Sequence, residues 1–112
     1  MKLTAYEMRS GPTSVDKEHY REEVEVDVDD SDIPDDVTEE VLQATLTKLN
    51  HEAWHKALRE CEPVPKPVYP NMTRLVFNVD KEMRMASLQV RFDFIHHDHT
   101  KGVSVENFHQ KL

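Results

Sequence analysis

Glycine is nearly absent from this chain, with two residues, Gly11 and Gly102, among 112. Two glycines cannot build a loop that cradles phosphate through its backbone, so the Gly-rich nucleotide motifs are excluded. Cysteine is scarcer still. Cys61 alone closes no internal disulfide, which fits a reducing, cytoplasmic setting. It has no nearby histidine or helix N-terminus to activate it, so it reads as a small apolar residue at a helix end. Long hydrophobic runs are missing as well. None approaches ~18 residues, which excludes a membrane-spanning helix. Residues Met1 to Glu7 carry no apolar core of signal-peptide length, so export is not expected.

Basic residues are missing from one stretch altogether. Residues 22–40 hold eleven acids and no Lys, Arg or His. The remainder holds 11 acids and 14 bases, so a segment of −11 sits in a background of +3, for a net charge of −8. The chain is therefore a nearly neutral domain carrying one intensely anionic segment. Its negative balance excludes a nucleic-acid binder that works through a general basic surface. A local field of this sign attracts cations and basic partners, and salt screens it over about 8 Å.

The length allows one domain, residues 1–112. Residues 2–9 read as a first strand, and Ser10-Gly11-Pro12 opens a loop through residue 18. Residues 20–29 alternate: Tyr20, Val24, Val26 and Val28 share one face, and Arg21, Glu23, Glu25, Asp27 and Asp29 the other. An acidic loop follows at residues 30–36. A long helix is expected over residues 38–61, with Asp36 or Thr38 as N-cap and Glu39 and Glu40 at the positive end of its dipole. Leu42, Leu46, Leu49, Ala53 and Ala57 form its apolar stripe, widened by Trp54, Leu58 and Cys61. Residues 63–70, PVPKPVYP, read as a stiff polyproline-like connector.

Beyond it, Leu75, Phe77 and Val79 alternate inward, as do Ala86, Leu88, Val90, Phe92 and Phe94, with Asp80-Lys81-Glu82 as the hairpin turn between the two strands. Ser104 can cap a short helix over residues 105–111, or the same residues can form a strand. The pattern predicts an α+β domain of order β-β-α-β-β: a four-stranded antiparallel sheet with the long helix on its apolar face.

One motif carries possible chemistry. His51-Glu52-Ala53-Trp54-His55 matches the H-E-x-x-H pattern of zinc proteases, in which two histidines one turn apart hold the metal and the glutamate takes a proton from its water. At 100° per residue, His51 and His55 fall about 180° and 220° from Leu42, opposite the core stripe. Lys56 follows the second histidine, and KALRECEP supplies no third ligand at the metzincin spacing. A zinc hydrolase using Glu52 with His51 and His55 is thus the alternative reading, and an absence of cofactor the main one. His96-His97-Asp98-His99 is a second histidine cluster, in which His97 and His99 are spaced to share a metal on an extended segment. A calcium loop beginning at Asp27 fails, because Asp32 stands where Gly belongs and Thr38 where the bidentate Glu belongs.

The acidic segment is the main candidate. Glu23, Glu25, Asp27 and Asp29 recur every second residue, about 6.7 Å apart along a strand. Such a row suits a protein groove built for nucleic acid, or the basic active site of a toxin. Asp30, Asp32, Asp35 and Asp36 would steer such a partner from longer range. Immunity proteins and nucleic-acid mimics share this size and charge as a class. No membrane or direct nucleic-acid contact is expected. For the core, replacing Leu49 by Ala should cost about 2–5 kcal/mol of stability in chemical denaturation. An unchanged midpoint would refute the stripe.

Overall fold

The computed structural model describes residues 1–10, 19–60, 68–96 and 101–112. The expected loop through residue 18, Cys61, residues 63–67 of the expected connector and His97 to His99 lie outside the described residues. The elements are β1 (Lys2–Ser10), β2 (His19–Asp27), a 3-10 turn (Asp30–Asp32), α1 (Glu39–Glu60), β3 (Val68–Asp80), β4 (Met85–His96) and β5 (Lys101–Lys111). The class is α+β, with one long helix and antiparallel strands, as the pattern predicts.

Three features depart from expectation. The strands form two sheets, a β1-β2 hairpin and a β3-β4-β5 meander, where one four-stranded sheet was expected. The final segment is also a strand. Val103 and Val105 point outward, and Phe108 faces in and packs against the core. The β-branched pair and the two-residue alternation outweigh the three-residue spacing of Val105 and Phe108 that suggested a helix. The meander is also longer than predicted. β3 begins at Val68, so Val68 to Pro70 extend the strand and do not belong to the connector. Its register shifts between Met72 and Arg74. Thr73 is the extra residue, and this bulge lets Met72 face inward together with Leu75, Phe77 and Val79.

Helix α1 starts where its cap chemistry allows. Thr38 is the N-cap: its hydroxyl accepts from the Val41 N–H at 3.3 Å, and its carbonyl from the Leu42 N–H at 3.0 Å. Leu42, Leu46, Leu49, Ala53 and Ala57 are all buried, against Leu88, Val90, Phe92 and Phe77 of the meander and Leu3 and Ala5 of β1. Val24, Val26 and Leu75 are partly buried beside them. The buried Thr45 hydroxyl is satisfied by the Val41 carbonyl at 2.9 Å. No described helix is long and apolar enough to cross a membrane.

The hairpin explains why there are two sheets. β1 pairs with β2 from Lys2↔Asp27 to Ser10↔His19, which leaves its other edge open. At Thr4 and Tyr6 that edge is taken by α1. Gln43 Oε1 accepts from the Thr4 N–H, and Gln43 Nε2 donates to the Thr4 carbonyl, both at 2.9 Å. Asn50 repeats the pattern on Tyr6, accepting at 2.7 Å and donating at 2.9 Å. A side-chain amide presents the same donor and acceptor as a neighbouring strand, so two of them complete the edge in a strand's place. Farther along, the Arg9 guanidinium donates to the Met72 carbonyl, at the bulge of β3.

Asn50 is only 5% exposed, so removing its amide strands the Tyr6 N–H and carbonyl with little water at hand. Leaving one buried polar group unsatisfied costs about 1–3 kcal/mol. Asn50→Leu should therefore cost roughly 2–4 kcal/mol, and the more exposed Gln43→Leu less. Equal losses, or none, in urea denaturation would show that the amides do not hold the edge.

Candidate functional site

β2 displays its carboxylates because of its alternation. Val24 and Val26 turn inward, so Glu23, Glu25 and Asp27 must turn out, and all three are exposed. Their cross-strand neighbours on the same face are Tyr6, Thr4 and Lys2. The row is partly compensated at one end. Lys2 Nζ lies 3.5 Å from Glu25, and the Met1 amino group lies 3.5 Å from Asp27 and 3.1 Å from Asp30. Glu25 and Asp27 nevertheless keep 65% and 72% of their side-chain surface. Among the described residues, Glu23 has no ion-pair partner.

The strand ends at Asp27, so Asp29 leaves the expected row. It caps the 3-10 turn, accepting from the Ser31 N–H at 3.0 Å and the Ser31 hydroxyl at 2.9 Å. Those bonds hold the Asp29 carboxyl below the usual aspartate range. The acidic loop is equally committed. Asp36 takes both guanidinium nitrogens of Arg84, at 2.8 and 3.0 Å, which lowers its carboxyl in turn. Asp35 lies 3.7 Å from Lys81. Val28, Ile33 and Pro34 are buried between the acids and anchor the loop. The Asp32 carboxylate remains exposed, with no partner among the described residues.

Glu7 and Glu22 face each other across the hairpin, a like-charge pair that Arg9 bridges, at 3.6 Å from Glu7 and 3.0 Å from Glu22. The Glu7 side chain is 12% exposed. Burial pushes its carboxyl above the ordinary glutamate range; Arg9 opposes the shift and Glu22 adds to it.

Beside the acidic row, a groove of about 350 Å³ runs between the hairpin and α1, lined by Tyr6, Arg21, Thr47, Asn50, His51 and Trp54. The Arg21 guanidinium sits 4.9 Å above the Tyr6 ring. On the helical wheel Asn50, Trp54, Thr47 and His51 spread from about 80° to about 180° from Leu42, one flank of the stripe, and that flank meets the hairpin. Tyr6 and Arg21 were missed as site residues. The signal for them was the alternation itself, which puts Tyr6 and Arg21 on the face of the carboxylates.

His51 and His55 are both exposed, and their rings stack with centroids 4.5 Å apart at 22°. Among the described residues no group of three or more His, Cys, Asp or Glu is placed to hold a metal ion. No protein-family model, curated protein or solved structure matches this chain.

The shifted carboxyls give stability opposite slopes with pH. Asp29 and Asp36, held low in the fold, contribute stability above the ordinary aspartate range and lose it on acidification. Glu7, held high, binds its proton more tightly folded than unfolded. It therefore destabilises as pH rises through its folded value, with no penalty below the unfolded one. Glu7→Gln should thus match the parent in acid and gain on it progressively from about pH 4.5 upward. A constant gap between the two denaturation profiles would contradict this.

Proposed function

We propose that this protein binds and blocks a basic protein partner through the outward face of the β1-β2 hairpin, in the manner of an immunity protein or a nucleic-acid mimic. One observation carries the reading: Glu23, Glu25 and Asp27 stand in an exposed row directly beside a groove walled by Trp54 and Tyr6. The row supplies attraction, and the groove supplies what attraction alone lacks. Binding energy concentrates where aromatic and arginine side chains exclude water, while exposed charge pairs mainly raise the association rate. A lysine or arginine of the partner meets carboxylates on one side and the Trp54 ring on the other, the Tyr6 ring being already covered by Arg21. Suitable partners are a toxin or a nucleic-acid-processing enzyme, whose basic cleft presents cations at comparable intervals. The single cysteine is the ground for placing this interaction in the cytoplasm.

Asp29, Asp35 and Asp36 already have partners within the chain, so their part is to shape the loop. Asp30, held by the Met1 amino group at 3.1 Å, belongs with them, and Asp32 remains available for steering. Replacing Glu23, Glu25 and Asp27 by Gln, Gln and Asn should leave the fold intact or slightly more stable, because like charges along the face are relieved. With a partner recovered by pull-down, the triple variant should associate more slowly and lose the salt dependence of the parent. Trp54→Ala should instead raise the dissociation rate. Parental affinity and salt dependence in the triple variant would refute the reading.

A further inference from the structure

We propose that the chain self-associates through β5, two copies pairing antiparallel about a two-fold axis at Ser104 to extend the meander into a six-stranded sheet. This does not rest on the acidic face. Among the described residues β5 pairs with β4 alone, which leaves one side of an 11-residue strand open. Natural proteins protect such an edge with charge, bulges or cover. Here the charges fall at Lys101, Glu106 and Lys111, and no bulge interrupts the β4–β5 register. The centre, Gly102-Val103-Ser104-Val105, is uncharged. Within it Val103 and Val105 are 58% and 52% exposed, two of the four large apolar side chains left open among the described residues.

The occupant follows from register. A two-fold axis through a residue pairs outward positions with outward positions. Placed at Ser104, it sets Val103 against Val105 of the second copy, and Val105 against its Val103. Outside them Lys101 meets Asn107, and on the inner side Gly102 meets Glu106. No like charges are opposed. An axis at Glu106 opposes two glutamates and sets Lys101 against Lys111. An axis at Val105 leaves Val103 against Asn107, and one at Val103 leaves Val105 against Lys101. Only the axis at Ser104 joins all four valines.

Charge placement favours the same occupant. The chain's net charge of −8 opposes self-association in general, but the anionic segment lies on β2 and the loop after it. β1 reaches the meander at β3, through Arg9 and Met72, and β5 lies on the far side of β4. A β5–β5 contact centred on Ser104 therefore lies across β4 from the carboxylate row of β2, and the acidic loop comes near β5 only at its far end, where Ser31, Asp32 and His109 line one pocket. Seven residues overlap in this register, a contact well below the roughly 1,600 Å² of a standard stable interface. The dimer is consequently weak and depends on concentration.

Sedimentation velocity from micromolar to millimolar chain tests this. The parent should pass from monomer to dimer. Val105→Lys should stay monomeric throughout, and Val41→Lys, at an exposed valine of α1, should dimerise like the parent. Val103→Thr serves as the milder variant if the circular dichroism of Val105→Lys shows a lost fold, and it too should weaken the dimer. Register is read by oxidation in a Cys61→Ala background. A mixture of Val103→Cys and Val105→Cys chains should crosslink as the mixed pair far more than either chain alone. A parent monomeric at every concentration, a Val105→Lys dimer of parental strength, open-ended oligomers, or crosslinking dominated by like pairs would each overturn the proposal.

Discussion

The placement of α1 on the hairpin depends on two side-chain amides. Gln43 and Asn50 lie seven residues apart, two turns of helix, and grip Thr4 and Tyr6, two residues apart on β1. Hydrophobic burial fixes that the Leu42–Ala57 stripe faces inward, but burial is non-directional and tolerates sliding. Hydrogen bonds to alternate residues of a strand do not. They set the direction, with α1 running in the same sense as β1, and they set the register. They also close an edge that would otherwise seek another strand. Once α1 occupies it at Thr4 and Tyr6, the hairpin and the meander cannot merge there into one ladder.

The polar ties around this clamp differ in weight. The bridges from Lys2 to Glu25 and from Lys81 to Asp35 are exposed and loose, of the kind that contributes little. Apolar burial does more to hold the acidic segment than these bridges do: Val28, Ile33 and Pro34 are buried on either side of the 3-10 turn. Arg9 acts differently, since it separates two opposed glutamates and also ties β1 to a backbone carbonyl of β3. Arg84 is comparable. It adopts φ 49°, in the left-handed region that costs a non-glycine residue energy, at the end of the β3–β4 turn. From there its guanidinium reaches Asp36, and its carbonyl accepts from the Leu112 N–H at 2.7 Å. One turn residue thus fixes both the acidic loop and the end of the chain against the meander.

Much of this was legible in the sequence, because period is the strongest local signal. The helix was expected over residues 38–61 and spans Glu39–Glu60. The core face of β4, from Ala86 to Phe94, was read correctly along its length. The illegible parts share a cause: each is settled by a contact distant in sequence. Nothing near Asn50 says that it will bond Tyr6, 44 residues away. Its wheel position, about 80° from Leu42, marks it only as a flank residue. The bulge at Thr73 reverses the parity of β3, and alternation read forward from Leu75 cannot see it. Residues 105–111 fit a short helix or a strand until pairing with β4 decides. In the candidate site the row of Glu23, Glu25 and Asp27 was legible, but Asp29 was lost to a cap. The neighbouring groove arises only when a helix flank meets the hairpin.

Among the described residues β2 and β5 are both edge strands, and they obey one rule to opposite effect. An unpaired edge accepts any strand whose side chains do not object, so the side chains decide the partner. On β2 a carboxylate stands at every second position from Glu23 to Asp27, and a second copy of the same strand would set acid against acid. Self-pairing there is disfavoured electrostatically, and a surface of opposite charge gains by approaching. On β5 the charges are five residues apart and leave a neutral span between Lys101 and Glu106. Nothing repels a like strand over that span, and two exposed valines gain by being covered. Charge spacing along each edge is thus what distinguishes the surface proposed for a basic partner from the one proposed for a second copy of the chain.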